Sequence, residues 1–178
     1  MNITLLLRDV TESDLPIFFE QQRDPVAINM AGFTAKDPAD RDAFTAKWAR
    51  ILADESIVKK AIVVEGRVVG NVLCFVAPWS GQQEVSYWLG REFWSKGIAT
   101  QALQSLLRSV TVRPLYARAA TDNVASIRVL EKCDFTLSGD GRGFANARGV
   151  EIDEIIMELK MTVPLDMTLD RDADWSET

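Results

Sequence analysis

The chain has 178 residues, 47% of them hydrophobic, with 26 acidic against 20 basic side chains, a net charge of −6 and no histidine. That length can bury a full core as one domain without disulfides or metal, and the acidic balance speaks against a nucleic-acid binder, which needs a basic face. Without histidine, Ser-His-Asp and Cys-His chemistry are excluded and a metal site is not expected.

In chain order, Ile3 to Arg8 reads as a first strand, and Thr11-Glu12-Ser13-Asp14 as the capped start of a helix carrying Leu15, Ile17, Phe18 and Phe19, broken at Pro25. A second helix, Pro38 to Ala53, places Phe44, Trp48, Ile51 and Leu52 at helical spacing. The period then changes. Ser56 to Glu65 and Val68 to Val76 are β-rich runs joined at Gly66-Arg67, and Glu84 to Leu89 follows the Pro78-Trp79-Ser80-Gly81 turn. A helix from Ile98 to Val110 buries Ala102, Leu103, Leu106 and Leu107; Leu115 to Ala120 is the next strand, and a short helix capped by Asp122 or Asn123 comes after it. Phe135 to Ser138 and Glu151 to Lys160 form a last strand pair around a glycine-rich loop from Gly139 to Gly149. Cys74 and Cys133 read as packed residues. The stretch past Lys160 holds five acidic side chains against Arg171 and reads as a loosely ordered extension, so the division is a domain over 1–160 and an acidic extension over 161–178. No apolar run is long enough to span a bilayer and the first residues lack a signal pattern, so the expected location is the cytoplasm.

The most informative segment is Trp94-Ser95-Lys96-Gly97-Ile98-Ala99-Thr100, a small-residue turn between a strand and a helix. The first turn of a helix leaves backbone N–H groups unpaired at the positive end of the macrodipole, and Gly97 and Ala99 let a phosphate come close to them. The ATP-loop spacing and the dinucleotide glycine pattern are both absent.

This segment resembles the acyl-coenzyme-A loop of the GNAT N-acyltransferases, Gln/Arg-x-x-Gly-x-Gly/Ala at the start of their central helix. Gly97 and Ala99 occupy the small-residue positions, and Trp94 stands where most of the superfamily has Gln or Arg, as in the RimJ/RimL-like branch of ribosomal-protein N-terminal acetyltransferases. Tyr87-Trp88-Leu89 before it also reads like that branch, while Ser95 and Gln101 replace its frequent Gly and Glu. A second block, Asn123-Val124-Ala125-Ser126 running on to Lys132-Cys133-Asp134-Phe135, resembles the family's Asn-x-x-Ser…Lys-x-Gly-Phe segment with Asp134 in place of Gly.

The resemblance implies an α+β fold with a mixed, mostly antiparallel sheet, helices on both faces, and a splay between the strands ending at Leu89 and running Leu115 to Ala120. It implies direct transfer of an acetyl group from acetyl-CoA to a primary amine, either a protein N-terminus or a small molecule. Cofactor contacts are expected from Leu89, Trp94, Ser95, Lys96, Gly97, Ile98, Ala99, Thr100, Asn123 and Ser126. Glu84 is the first candidate base, acting through a water, with Asp153 and Glu151 in reserve. Ser126 is the candidate acid or a pantetheine ligand, with Tyr116 the alternative acid, and Arg91 reads as a surface charge. Phe18, Met30, Phe33, Trp79 and Phe144 are candidates for the acceptor rim. A homodimer is among the expectations, and no membrane or nucleic-acid partner is. The alternative reading is a non-catalytic acyl-CoA-binding sensor or assembly module.

Overall fold

The computed structural model describes residues 3–161, so all but the first residue of the expected acidic extension lies outside the described residues. Seven strands form one sheet in the order β1-β2-β3-β4-β5-β7-β6. These are β1 Leu5–Asp9, β2 Val58–Val64, β3 Arg67–Val76, β4 Gln83–Leu89, β5 Leu115–Ala120, β6 Thr136–Ala145 and β7 Val150–Leu159. Five α-helices accompany them: α1 Leu15–Gln21, α2 Pro25–Ala31, α3 Arg41–Ala53, α4 Ile98–Ser109 and α5 Val124–Glu131. All strand pairs are antiparallel except β4 with β5, which run parallel.

Three expectations shift. Pro25 starts a helix instead of ending one: Asp24 is an N-cap accepting from the Val26 and Ala27 amides, and proline is suited to the first helical position, where no N–H is needed. The β2–β3 turn sits at Glu65-Gly66, with φ of 50° and 79°, the two consecutive positive values of a tight hairpin, so Arg67 already belongs to β3. The glycine-rich stretch is mostly strand. Gly139, Gly141 and Gly143 lie within β6, paired with Ile156, Glu154 and Ile152, and a register shift between Leu137 and Gly139 absorbs one residue.

Two apolar layers hold the sheet. On one face α4 lays Ile98, Ala102, Leu103 and Leu106, all at most 2% exposed, against Val69, Val72, Val85, Leu115 and Phe135. Their spacing is one stripe of a helix, so a single face of α4 supplies most of this core. On the other face Phe18 and Phe19 of α1 pack on Phe44 and Trp48 of α3, with Phe18–Trp48 and Phe19–Phe44 ring centroids 5.1 and 5.2 Å apart. Asp14 anchors the start of this second layer. It is buried, takes both Arg8 guanidinium nitrogens at 2.7 Å and accepts the Thr11 amide at 2.9 Å, completing a capping box.

The layers leave the middle of the sheet open. β4 and β5 are paired only through Glu84 opposite Tyr116 and diverge beyond it. Gly90 N–H bonds back to Val69 on β3. By alternation the main-chain groups of Val85, Tyr87 and Leu89 therefore face the gap. A strand-like ligand is the natural complement of such an edge.

Candidate active site

Two cavities meet at this gap. A groove of about 370 Å³ runs from the gap along the first turn of α4 to α5. A larger cavity of about 810 Å³ lies on the α1–α3 side of the sheet. Ala31, Tyr87, Trp88, Asn123 and Ser126 belong to the walls of both, so a group passing from one to the other passes these side chains.

The groove is built from the sequence segment singled out for its small residues. Gly97 is the N-cap of α4 at φ 74°, offers no capping side chain, and has no atom nearer than 4.0 Å to where a Cβ would stand. The first amides of α4 are thus open to an anion. Trp94, Ser95, Gly97, Ile98, Ala99 and Thr100 line this end, and Leu89, Asn123 and Ser126 line the rest. Trp94 fixes the loop by donating its indole N–H to Leu89 O at 3.0 Å. Lys96 is turned away from the groove, its ammonium 2.8 Å from Glu92 O and 5.7 Å from the centre of the Phe93 ring. Arg91 is tied to Asp24 at 3.1 Å. The positive charges on the groove wall are instead Arg128 and Lys132 of α5 and its C-cap, four residues apart on one helical face; Lys132 belongs to the second matched block, but neither was expected as a cofactor contact.

Where the cavities meet, Asn123 caps α5, accepting from Ser126 N–H at 3.2 Å. This sets Ser126 one turn in, its hydroxyl 2.7 Å from the Tyr87 hydroxyl. Tyr87 lies on β4 and reaches across the gap to α5. Burial is the main cause that pushes its phenol up to about 12, partly offset by the Ser126 hydrogen bond, so it stays protonated as a donor. Tyr116, the alternative acid, points elsewhere, donating to Glu158 at 3.3 Å. Cys133 is buried with its thiol 3.7 Å from Thr100 O, and desolvation first, then Asp134, pushes it to about 11, so it is an inert packed thiol.

Because Tyr87 faces α5, strand alternation sends Glu84, Ser86 and Trp88 to the opposite face, toward the larger cavity. Glu84 is 3% exposed. Its Oε1 accepts from Trp79 Nε1 at 3.2 Å, Ser80 Oγ at 3.3 Å and Arg118 Nε at 3.0 Å, while Oε2 takes none of the described hydrogen bonds. Arg118 also donates to Glu154 at 2.9 Å, so one guanidinium bridges two carboxylates across the splay. Those two hydrogen bonds raise the Arg118 pKa against the desolvation that is the largest single influence on it. The last-strand carboxylate at the cavity is Glu154, whereas Asp153 and Glu151 are exposed beside Arg142 at 3.8 and 3.7 Å. Of the rim candidates, Phe18, Phe33 and Trp79 line the larger cavity, Met30 lines the groove, and Phe144 is exposed and lines neither.

Arg148 closes the roof. It donates to Asn29 O at 2.8 Å and Met30 O at 3.3 Å on α2 and holds Asp122 at 2.7 and 3.0 Å, clasping α2 to the turn before α5. Among the described residues no cluster of side chains suited to a metal is present, and no helix is long and apolar enough to cross a membrane.

Residues 4–136 match the family model described as an acetyltransferase (GNAT) domain. The uncharacterized N-acetyltransferase p20 of Bacillus licheniformis is 32% identical over 84 residues, which is 45% of this chain and 47% of that protein, so the match spans about half the relative's length. Among solved structures, the microcin self-immunity acetyltransferase MccE in complex with acetyl-CoA and AMP superposes with TM-score 0.72 at 21% identity, over 90% of this chain and 94% of that one. A RimL ribosomal-protein α-N-acetyltransferase in complex with coenzyme A superposes with TM-score 0.71 at 21% identity, over 90% and 98%.

Proposed function

Because the chain belongs to the GNAT acetyltransferase family, whose members use acetyl-CoA as the acyl donor, we propose that the groove holds acetyl-CoA and the larger cavity its amine acceptor, with transfer where the two meet. The observation that carries this division is the shared wall of Tyr87, Asn123 and Ser126 between the groove and the larger cavity. The groove suits the donor. Open amides at α4 with Arg128 and Lys132 offer charge and hydrogen bonds to a pyrophosphate, and the unpaired edge of β4 offers main chain to an extended amide-bearing arm.

Acetyl-CoA supplies the activated thioester; the chain's residues orient the reactants and move the protons. The Tyr87 and Leu89 amides on the open edge of β4 are the donors for an oxygen that gains negative charge as the amine adds. Glu84 Oε2, free of the hydrogen bonds that saturate Oε1, accepts the ammonium proton directly or through a water. Ser126 donates a proton toward the departing sulfur. Tyr87 Oη lies 2.7 Å from Ser126 Oγ and 3.2 Å from Ser126 O; when its one proton goes to Oγ, the serine proton is free to point at the groove.

The acceptor is a primary amine, a peptide N-terminus or a small molecule. Exposed Leu137, Phe144 and Val150 on the β6–β7 hairpin suit pairing with a second copy of the chain, and supply of acetyl-CoA favours the cytoplasm. Calorimetry with acetyl-CoA, then thiol release in the same sample against a panel of amines, tests the reading. Binding with release on an amine is expected. Binding without release on any amine would leave a carrier or sensor of acyl-CoA, and no binding would refute the assignment of the groove.

A further inference from the structure

We propose that the amine acceptor carries an anionic group, a carboxylate or a phosphate, which Lys47 and Arg50 receive at the α3 end of the larger cavity. The inference rests on the assignment of that cavity to the acceptor. Its two ends differ in charge. At the sheet end the ionised groups are Glu84, Arg118 and Glu154, joined by hydrogen bonds of 3.0 and 2.9 Å through the single guanidinium. Two carboxylates against one cation leave one negative charge unmatched, the complement of one ammonium.

At the other end α3 presents Lys47 and Arg50, three residues apart and therefore neighbours on one helical face, and both line the cavity. Among the described residues neither has a carboxylate within salt-bridge distance, and neither side chain makes a described hydrogen bond. Lys47 and Arg50 are both exposed where they line the cavity, with the protein of that wall crowding the Lys47 ammonium from one side. That desolvation first, and the Arg50 charge second, hold the Lys47 ammonium below the usual lysine range. Two like charges facing one cavity without a counterion are an unfavourable arrangement that an anion relieves.

The acidic residues nearest in sequence do not fill this role. Asp37 and Asp40 also line the cavity, but each is used locally, accepting the Ala39 and Ala43 amides at 2.9 Å. Asp40 is the N-cap of α3, and seven residues of helix put Lys47 about 10 Å further along the axis. In a chain of net charge −6, an unmatched pair of cations on a cavity wall is a local feature and not a consequence of composition. The cavity is thus polarised, with the reacting amine at Glu84 and the anion at Lys47. Phe33, 38% exposed, and Trp79, 63% exposed and bonded to Glu84, supply apolar wall to the same cavity.

The experiment compares amines of like size with and without the anionic group, phenylalanine with phenylalaninamide and O-phosphoethanolamine with ethanolamine, each rate being referred to the unprotonated amine present. The readout is kcat/KM from thiol release at fixed acetyl-CoA, in low and high salt. The charged member of one pair should win by about tenfold or more, and which pair shows the preference separates carboxylate from phosphate. Lys47→Gln and Arg50→Gln should each erode that preference through KM for the anionic acceptor, with kcat on the neutral one and acetyl-CoA affinity unchanged. Equal use of both members of each pair, or a preference that survives the double variant, overturns the proposal. If no amine supports release while acetyl-CoA binds, the transferase reading is what fails. The anion site is then judged by calorimetry of N-acetylphenylalanine against N-acetylphenylalaninamide, and of phenyl phosphate against phenol, on coenzyme-A-loaded protein. Tighter binding of an anion, lost in Lys47→Gln, supports it; equal binding, or none, overturns it.

Discussion

Replacing Arg118 by Met tests whether the guanidinium between Glu84 and Glu154 holds the splayed sheet together at its centre. The Glu84 side chain is 4% exposed and that of Arg118 22%, so the two partners are not equivalent. Removing the cation strands a buried carboxylate, a change that costs about 3–5 kcal/mol when nothing else compensates. Trp79 and Ser80 still donate to Glu84 Oε1, which argues for the lower end, about 3 kcal/mol. Glu84→Gln should cost less, about 1 kcal/mol, because Arg118 keeps Glu154 and some water and the amide oxygen can still accept. The double variant leaves no stranded charge and should lose about 1–2 kcal/mol, well short of the sum. Urea unfolding followed by fluorescence and circular dichroism reads all four proteins. With a slope of about 1–3 kcal/mol per molar, the Arg118→Met midpoint should fall by about 1 M or more. Such a loss is a large part of a stability of about 5–15 kcal/mol. An Arg118→Met protein within about 0.5 kcal/mol of wild type, or single losses that simply add in the double variant, would refute the reasoning.

Asp14 gives a pH signature. The Arg8 hydrogen bonds above all, with those from Thr11, hold its carboxyl below the usual range. A depressed folded pKa adds stability that is present above the unfolded value of about 4 and lost as pH falls through the folded one. Wild type should therefore exceed Asp14→Asn in stability at pH 7 and the gap should close below about pH 4; parallel curves down to pH 2.5 would contradict this. Gly97→Ala should lower stability by about 1–2 kcal/mol through its left-handed φ, and weaken acetyl-CoA binding about tenfold or more by calorimetry. Gly70 and Gly141 should differ in how much alanine costs. A Cβ at Gly70 would stand 2.1 Å from Trp88 O, so β3 and β4 cannot pair and the thermal transition should be lost. At Gly141 it would stand 2.9 Å from Glu154 Oε1, the atom that accepts from Arg118, so the melt should fall by the smaller amount needed to shift that carboxylate. Tyr87→Phe should lower kcat about tenfold with acetyl-CoA affinity within a factor of two; unchanged kcat would remove Tyr87 from proton handling.

The parts of the site legible in the sequence were those built from local chain. Gly97 announces itself through the small residues opening α4, and Asn123 and Ser126 are a cap and the residue one turn on, so three residues of sequence fix their relation. Glu84 could be placed only through the family resemblance, which set its strand beside the gap in a branch that commonly has an acidic residue there. What could not be read depends on register and facing. Arg118 is one strand residue among several, and its role exists only because β5 sets it opposite Glu84 and Glu154. The choice of Glu154 over Asp153 is a parity, decided by pairing Glu154 with Gly141 and Ala120. Tyr87 was noted as motif and not as a reacting group, since its partner Ser126 is 39 residues away. Asp24-Pro25 was misread although its signal was local: a capping aspartate followed by proline starts a helix as readily as proline ends one.

The single β4–β5 pairing at Glu84 and Tyr116 divides the sheet into two blocks, β1 to β4 and β5 to β7, that share almost no backbone ladder. Their coupling must therefore run through side chains and, on the proposed placement, through a donor bound along the β4 edge. In hydrogen exchange this separates two classes of amide within one strand. Those of β4 that bond to β3 exchange with the fold as a whole, whereas the Tyr87 and Leu89 amides, beyond the bridge to β5, are the ones a ligand on the β4 edge should protect. On the proposed placement of the donor, saturation with acetyl-CoA should slow the second class selectively and raise the cooperativity with which the two blocks open, which makes the continuity of the sheet dependent on ligand concentration.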